Sequence, residues 1–259
     1  MVIYMTEQEK KKIINNKNEA VNAINTYLDD CIFQDNIHAK KSNLLSYWLK
    51  DYIRYIKQEE NFSSSCLKNY SRGDIIKVNL GFNIGNEEGG LHYCVVLDKK
   101  NAKSYSTLTV IPLSSLKITT KPNKTSVFLG EEIYNNLVDK CKILIKHEQN
   151  EVSTISQGIK ELKKLSENTE EEQIIKKYKI DTLKSKLITS KENLELILKI
   201  NEELQQMKKG TIALVNQITT ISKQRIYNPK KDLDILSGIK LSPEKMALID
   251  DKIKKLYVN

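Results

Sequence analysis

The stretch from Tyr70 to Ser115 constrains the fold of this chain more than any other, because it holds most of the strand pattern. Ile75, Ile76, Val78 and Leu80 form one β-branched-rich run, Tyr93–Leu97 a second and Leu108–Leu113 a third. Apolar runs this short, bounded by Gly and Asn, predict strands joined by one long loop and one shorter turn. The loop Gly81–Gly90 is longer than a tight hairpin needs, and loops of that kind are usually functional or disordered. It places Glu87 and Glu88 beside Gly89 and Gly90, where the missing side chains let backbone approach a ligand closely.

On either side of this stretch the pattern is helical. Thr6 followed by Glu9 reads as an N-cap with a capping-box partner, and Ile13, Ile14, Ala20, Val21, Ile24, Tyr27 and Leu28 recur near helical period. A second helix is expected over Ala39–Glu59, with Leu44, Leu45, Trp48, Leu49, Tyr52, Ile53 and Ile56 on its apolar stripe. Tyr47, Trp48, Tyr52 and Tyr55 could stack on nucleic-acid bases, but their helical spacing favours packing in a core or dimer. Asn61–Ser65 reads as a linker. Thr125–Leu129 is a further expected strand. From Glu131 to Lys209 there is no proline and the single glycine is Gly158. That span predicts helices over Glu131–Leu165 and Glu170–Lys208, split at Ser166–Thr169 and folded back as an antiparallel coiled-coil hairpin. Its expected seam is Leu183, Leu187, Leu194, Ile197 and Leu204, interrupted by Ser190 and Asn201. Thr211–Val215 returns to strand character. Ser242 and Pro243 suit the N-cap and N1 of a last helix burying Met246, Leu248, Ile249, Ile253 and Leu256. The expected organisation is a helical extension over 1–66, a strand-bearing part over 67–130, a helical insertion over 131–209 and a second strand-bearing part over 210–259.

Charge separates these parts. The net charge is +9. Residues 1–70 hold ten Lys and Arg against nine acids, and residues 131–209 hold fifteen against fifteen. Residues 71–130 hold eight against four and residues 210–259 nine against five, so nearly all the excess lies in the strand-bearing parts. Such an excess suits an anionic partner, with RNA the natural candidate, or a lysine-rich solvated surface. Cys31, Cys66, Cys94 and Cys141 have no C-x-x-C spacing, which argues against a zinc site and for buried free thiols in a reducing compartment. No signal-peptide pattern opens the sequence and no run approaches the length of a membrane span, so a cytoplasmic protein without membrane association is expected.

The segments RGDIIKVNLG, IGNEEGG, CVVL and VIPLSS resemble the opening half of the MazF/PemK family of toxin ribonucleases. Gly210–Ile226 (GTIALVNQITTISKQRI) is similar to that family's second signature. The resemblance covers about Tyr70–Gly130 and Lys209–Tyr257. It implies an α+β fold: an SH3-like, partly open β-barrel, here carrying an N-terminal helical hairpin and a long antiparallel coiled-coil insertion. It further implies the toxin of a type II toxin–antitoxin pair, a homodimeric, metal-independent endoribonuclease that cuts single-stranded RNA to 2′,3′-cyclic phosphate and 5′-OH ends. The implied partners are RNA and a cognate antitoxin; no cofactor is implied. The insertion could present an antitoxin groove, cover the site, extend a dimer, or be a solvated structural arm. A related gyrase-inhibiting branch depends on a C-terminal Trp-Gly-Ile tail, whereas this sequence ends Leu256-Tyr257-Val258-Asn259 and its one tryptophan is Trp48.

Cleaving RNA without a metal needs a base for the 2′-OH proton, an acid for the leaving oxygen and donors for the phosphorane. Placed on the family pattern, His92 stands where an Arg is usual and Ser114 where a Thr is usual. A histidine supplies acid–base chemistry but not the fixed positive fork of Arg, which predicts activity peaking on the mildly acidic to neutral side. Arg72, Lys77, Lys117 and Arg225 are candidates to hold phosphates, and Asn86 and Glu87 to shape the loop or orient His92. Asn216 and Gln217 occupy the family's acidic-Gln pair, and Thr219 a position where Arg is common. The losses of positive charge at 92 and 219 leave a catalytically inactive RNA- or protein-binding relative as the alternative.

Overall fold

The computed structural model describes residues 5–116, 124–165 and 168–258. The chain divides into two compact units: the residues up to Phe62 with Gly81–Gly85, and Ser63–Leu80 with Asn86–Asn259.

The first unit is a helical hairpin of α1 (Glu7–Gln34) and α2 (Asn36–Gln58). The Thr6/Glu9 capping box forms as the sequence predicts. Helix α2 starts three residues earlier than expected because Asp35 caps it: its Oδ1 accepts from the amides of Ile37 (2.7 Å) and His38 (2.9 Å). Only Cys31 and Ser42 are buried within the two helices, and the Ser42 hydroxyl donates to the Leu28 carbonyl. Trp48 lies tilted against Tyr52 and Tyr55, with ring centroids 5.7 and 6.3 Å away. Its indole covers Gly81, where a Cβ would stand 2.8 Å from the ring and where φ is +88°. Position 81 therefore accommodates only glycine. Tyr47 and Tyr52 remain largely exposed.

The second unit is built on a seven-stranded antiparallel sheet: β1 (Ile75–Asn79), β2 (Leu91–Val96), β3 (Thr107–Ser115), β4 (Ser126–Gly130), β5 (Thr211–Leu214), β6 (Thr219–Ser222) and β7 (Ile226–Asn228). The strand order is β4-β5-β3-β2-β1-β7, with β6 also paired to β3. β2 runs along one edge of β3; β5 and β6 follow one another along the other, interrupted by a 3₁₀ turn at Val215–Gln217. Ile75, Val95, Ile111, Leu113, Ala213 and Val215 form the centre of one core. At about 1.5–3 kcal/mol for each fully buried aliphatic side chain, this cluster outweighs any surface pair in the unit.

Between β4 and β5 the chain makes α3 (Glu132–Leu162) and α4 (Glu170–Gln206). At its root Ile133, Leu137 and Ile200 are fully buried against the sheet. Farther out, Cys141 meets Asn201, Glu151 pairs with Lys186 (3.1 Å) and Glu161 with Lys179 (3.7 Å). One partner number falls as the other rises, so the helices run antiparallel. Thr169 and Glu172 form a second capping box at the start of α4.

The seam differs from expectation. Leu187 and Leu194 are about half exposed, whereas Ser190, Asn193, Ile197 and Ile200 face inward. The inward positions sit one residue early at 193 and 200 because Glu148 of α3 draws two polar partners to it. Its carboxylate accepts from Asn193 Nδ2 (2.7 Å) and from the Ser190 hydroxyl, while His147 Nδ1 lies 3.1 Å away.

The last helix, α5 (Pro243–Tyr257), has Ser242 at its N-cap and Pro243 in its first turn. Ser242 also donates, from its amide and its hydroxyl, to Glu132 at the start of α3. Met246 and Ile249 are buried, but Leu248 and Leu256 are exposed; Leu248 lies some 200° round the helix from Met246. Cys31, Cys94 and Cys141 are buried free thiols as expected, whereas Cys66 is exposed.

Burial by itself would raise the pKa of Glu148. The hydrogen bonds from Ser190 and Asn193, with His147 beside it, more than offset this and leave it below the ordinary carboxylate value of 4.5. A depressed carboxylate stabilises the fold above its unfolded-chain pKa and loses that contribution as the pH falls through the folded value. The stability measured by denaturant unfolding is therefore expected to fall between pH 6 and pH 3. Glu148→Gln should cost about 1–2 kcal/mol at neutral pH and make that acid loss shallower.

Candidate active site

Strand β2 opens with Leu91, His92 and Tyr93, and β3 closes with Leu113, Ser114 and Ser115. All six line one cavity of about 330 Å³. That lies at the small end of the roughly 300–1,000 Å³ usual for ligand pockets. Thr211 at the start of β5 also lines it. Ile133 at the root of α3, with Met207 and Lys208 just beyond α4, supplies the remaining wall. None of these lining residues is a carboxylate. His92 and Ser114, twenty-two positions apart, reach the same cavity because the β2–β3 ladder pairs Cys94 with Pro112 and Val95 with Ile111, two steps short of them.

The His92 ring is held from both sides. Its Nε2 lies 3.1 Å from Glu88 Oε1, and its Nδ1 3.3 Å from the Leu113 carbonyl oxygen. Both partners accept hydrogen bonds, so the ring satisfies the two together only when each nitrogen carries a proton. Glu88 is itself positioned from the 3₁₀ turn between β5 and β6. Its amide donates to Gln217 Oε1 (2.5 Å), and Gln217 Nε2 donates to the Asn86 carbonyl (3.1 Å). The 3₁₀ turn between β5 and β6 thus aims Gln217 across the loop, gripping its backbone at two points. Hydrogen bonding to the ring falls to Glu88; its neighbour Glu87 is exposed.

The other sequence candidates are distributed elsewhere. Lys77 pairs with Glu203 of α4 (2.6 Å) and lies 5.1 Å from the centroid of the Tyr93 ring. The Tyr93 hydroxyl donates to the same carboxylate, and burial, reinforced by Glu203, raises that phenol's pKa. Arg72 donates to the Leu97 carbonyl and to Asp250 of α5, and Arg225 Nε donates to the Asn79 carbonyl (2.8 Å). Thr219 pairs with Val110 in the β3–β6 ladder, and Asn216 is exposed in the 3₁₀ turn. Lys117 lies outside the described residues. Sequence reasoning passed over Glu88 as the ring's partner, and Ser115, Thr211 and Lys208 as pocket residues. The i, i+4 spacing of Glu88 and His92 was the one available signal.

Residues 71–174 match the family described as the PemK-like, MazF-like toxin of type II toxin–antitoxin systems. A PemK/MazF-like toxin domain therefore occupies that span, preceded by the N-terminal helices. The match takes in β1–β4 and α3 and stops in the first turn of α4, so Gln217 and the similarity over Gly210–Ile226 lie beyond it. No curated protein matches the chain. No helix among the described residues is long and apolar enough to cross a membrane.

Gln217→Ala should release the loop without touching the cavity. Hydrogen exchange at the Glu88 amide is expected to quicken roughly five- to tenfold, the equivalent of one lost hydrogen bond of about 1 kcal/mol.

Proposed function

We propose that this protein is the toxin of a type II toxin–antitoxin pair and acts as a metal-independent, sequence-selective endoribonuclease on single-stranded RNA. The supporting observation is that His92 and Ser114, both within the span that matches the toxin family, line one cavity, with Glu88 held against the His92 ring. On this reading the sheet is the family's SH3-like, partly open barrel, α3 and α4 are a coiled-coil insertion, and the protein works in the cytoplasm as a homodimer silenced by its antitoxin.

The chemistry follows from the side chains present. The 2′-oxygen attacks phosphorus, and its proton passes to the Glu88–His92 pair. As the bond from phosphorus to the 5′-oxygen breaks, the pair returns a proton to that oxygen, leaving a 2′,3′-cyclic phosphate and a 5′-OH. Ser114 donates to a nonbridging oxygen, stabilising the charge that develops there. Glu88 keeps the ring oriented while Gln217 keeps Glu88 in place.

A second reading is a catalytically inactive RNA- or protein-binding relative. The engagement of Arg72, Lys77 and Arg225 within the fold favours inactivity, since each is a cation withdrawn from the stabilisation of a phosphorane.

Incubation with a long unstructured RNA separates the two. Discrete products that persist in chelator support the enzyme, and retarded but intact RNA supports the binder. His92→Ala is expected to slow cleavage at least 100-fold, the usual contribution of a positioned acid–base group. Wild-type rates in that variant would remove His92 from the mechanism.

A further inference from the structure

The wall of the cavity that the sheet does not supply comes from the root of the helical arm. Helix α4 ends where Met207 leaves helical geometry, its amide still donating to the Glu203 carbonyl (2.9 Å). Three residues later Gly210 takes φ +83° and its carbonyl accepts from the Leu116 amide (2.9 Å), fastening the returning chain to the end of β3. A side chain at 210 would be strained in that conformation. Between these two fixed points Lys208 joins His92, Ser114, Ser115 and Thr211 among the residues that line the cavity.

These groups share one chemistry. Histidine, serine, threonine and lysine side chains can all donate hydrogen bonds, and no carboxylate is among the lining residues. The cations expected to meet phosphate behave differently: Arg72 and Lys77 are paired to acids and Arg225 is bound to a backbone carbonyl. Lys208 is exposed, and among the described residues it forms no ion pair. Its neighbour Lys209 is turned away from this role, with its ammonium 5.2 Å from the centroid of the Tyr134 ring.

We propose that the cavity is a phosphate subsite for the RNA backbone and that Lys208, from the root of the helical arm, is its cation. The arm is then part of the substrate site, and Lys208 restores at another point of the chain a positive charge that position 92 lacks as arginine. The assignment rests on the RNA-directed reading above.

The test is the salt dependence of binding. A short single-stranded RNA is titrated with the full-length protein carrying His92→Ala, which slows cleavage, over a fourfold range of salt. Each phosphate contact on a single strand contributes about 0.7 to the slope of log affinity against log salt. Lys208→Gln in that background should therefore reduce the slope by about 0.7, so that its affinity falls about 2.6-fold less over the range. Lys208→Arg should keep the slope. Lys100→Gln, at the opposite end of β2, should leave it unchanged. An unaltered slope in Lys208→Gln, or an equal reduction in Lys100→Gln, would overturn the role of Lys208 while leaving RNA binding intact. Absence of RNA binding by both the parent and the unmutated protein would instead overturn the functional reading itself.

Discussion

The pairing of the far end of β3 with β5 is the contact on which the second unit depends. It joins Leu113 to Ala213 and Ser114 to Ile212, residues about a hundred positions apart. Loop closure explains why so large an insertion is tolerated. Its entropic cost grows only with the logarithm of length, so about a hundred residues cost roughly 2 kcal/mol more than ten. Burial of Leu113, Ala213 and Val215 in one core offsets that, and the two helices pack on each other. The same pairing brings Thr211 beside Ser115 and the end of α4 beside the cavity. Fold and pocket therefore share one interaction.

Buried polar groups hold several elements of the unit together. In the arm, Glu148 sits among Ser190, Asn193 and His147, and the inward stripe is displaced to satisfy it. A buried carboxylate with donors at only one helical register penalises slippage of one helix along the other, as single buried polar residues do in coiled coils. At the root, Lys140 donates to the carbonyls of Asp234, Ile235 and Ser237 and so holds the chain before α5 against α3. Lys223 is wholly buried, its ammonium donating to the Ala102 carbonyl.

These contacts change the meaning of the basic excess. Arg72, Lys77, Lys140, Lys223 and Arg225 are all committed to partners inside the fold, so much of the positive charge in the strand-bearing parts fastens segments together. Composition counts a cation equally whether it faces water, a carboxylate or a carbonyl. A formal charge map therefore exaggerates the anion-binding face, and the identity of the remaining cations depends on the tertiary arrangement.

Local physics was legible in the sequence. Thr6 with Glu9 and Ser242 with Pro243 specify helix starts because caps act within four residues, and the three apolar runs specify β1, β2 and β3 because side chains alternate along a strand. His92 and Ser114 could be named from a motif, since their ladder is nearly local. The seam of the arm, the fate of Lys77 and Arg72, and the choice of Glu88 over Glu87 were decided only in three dimensions. Each depends on a partner more than forty positions away or on the backbone grip of Gln217, and a side chain's partner is set by the packing of whole elements rather than by the residues beside it.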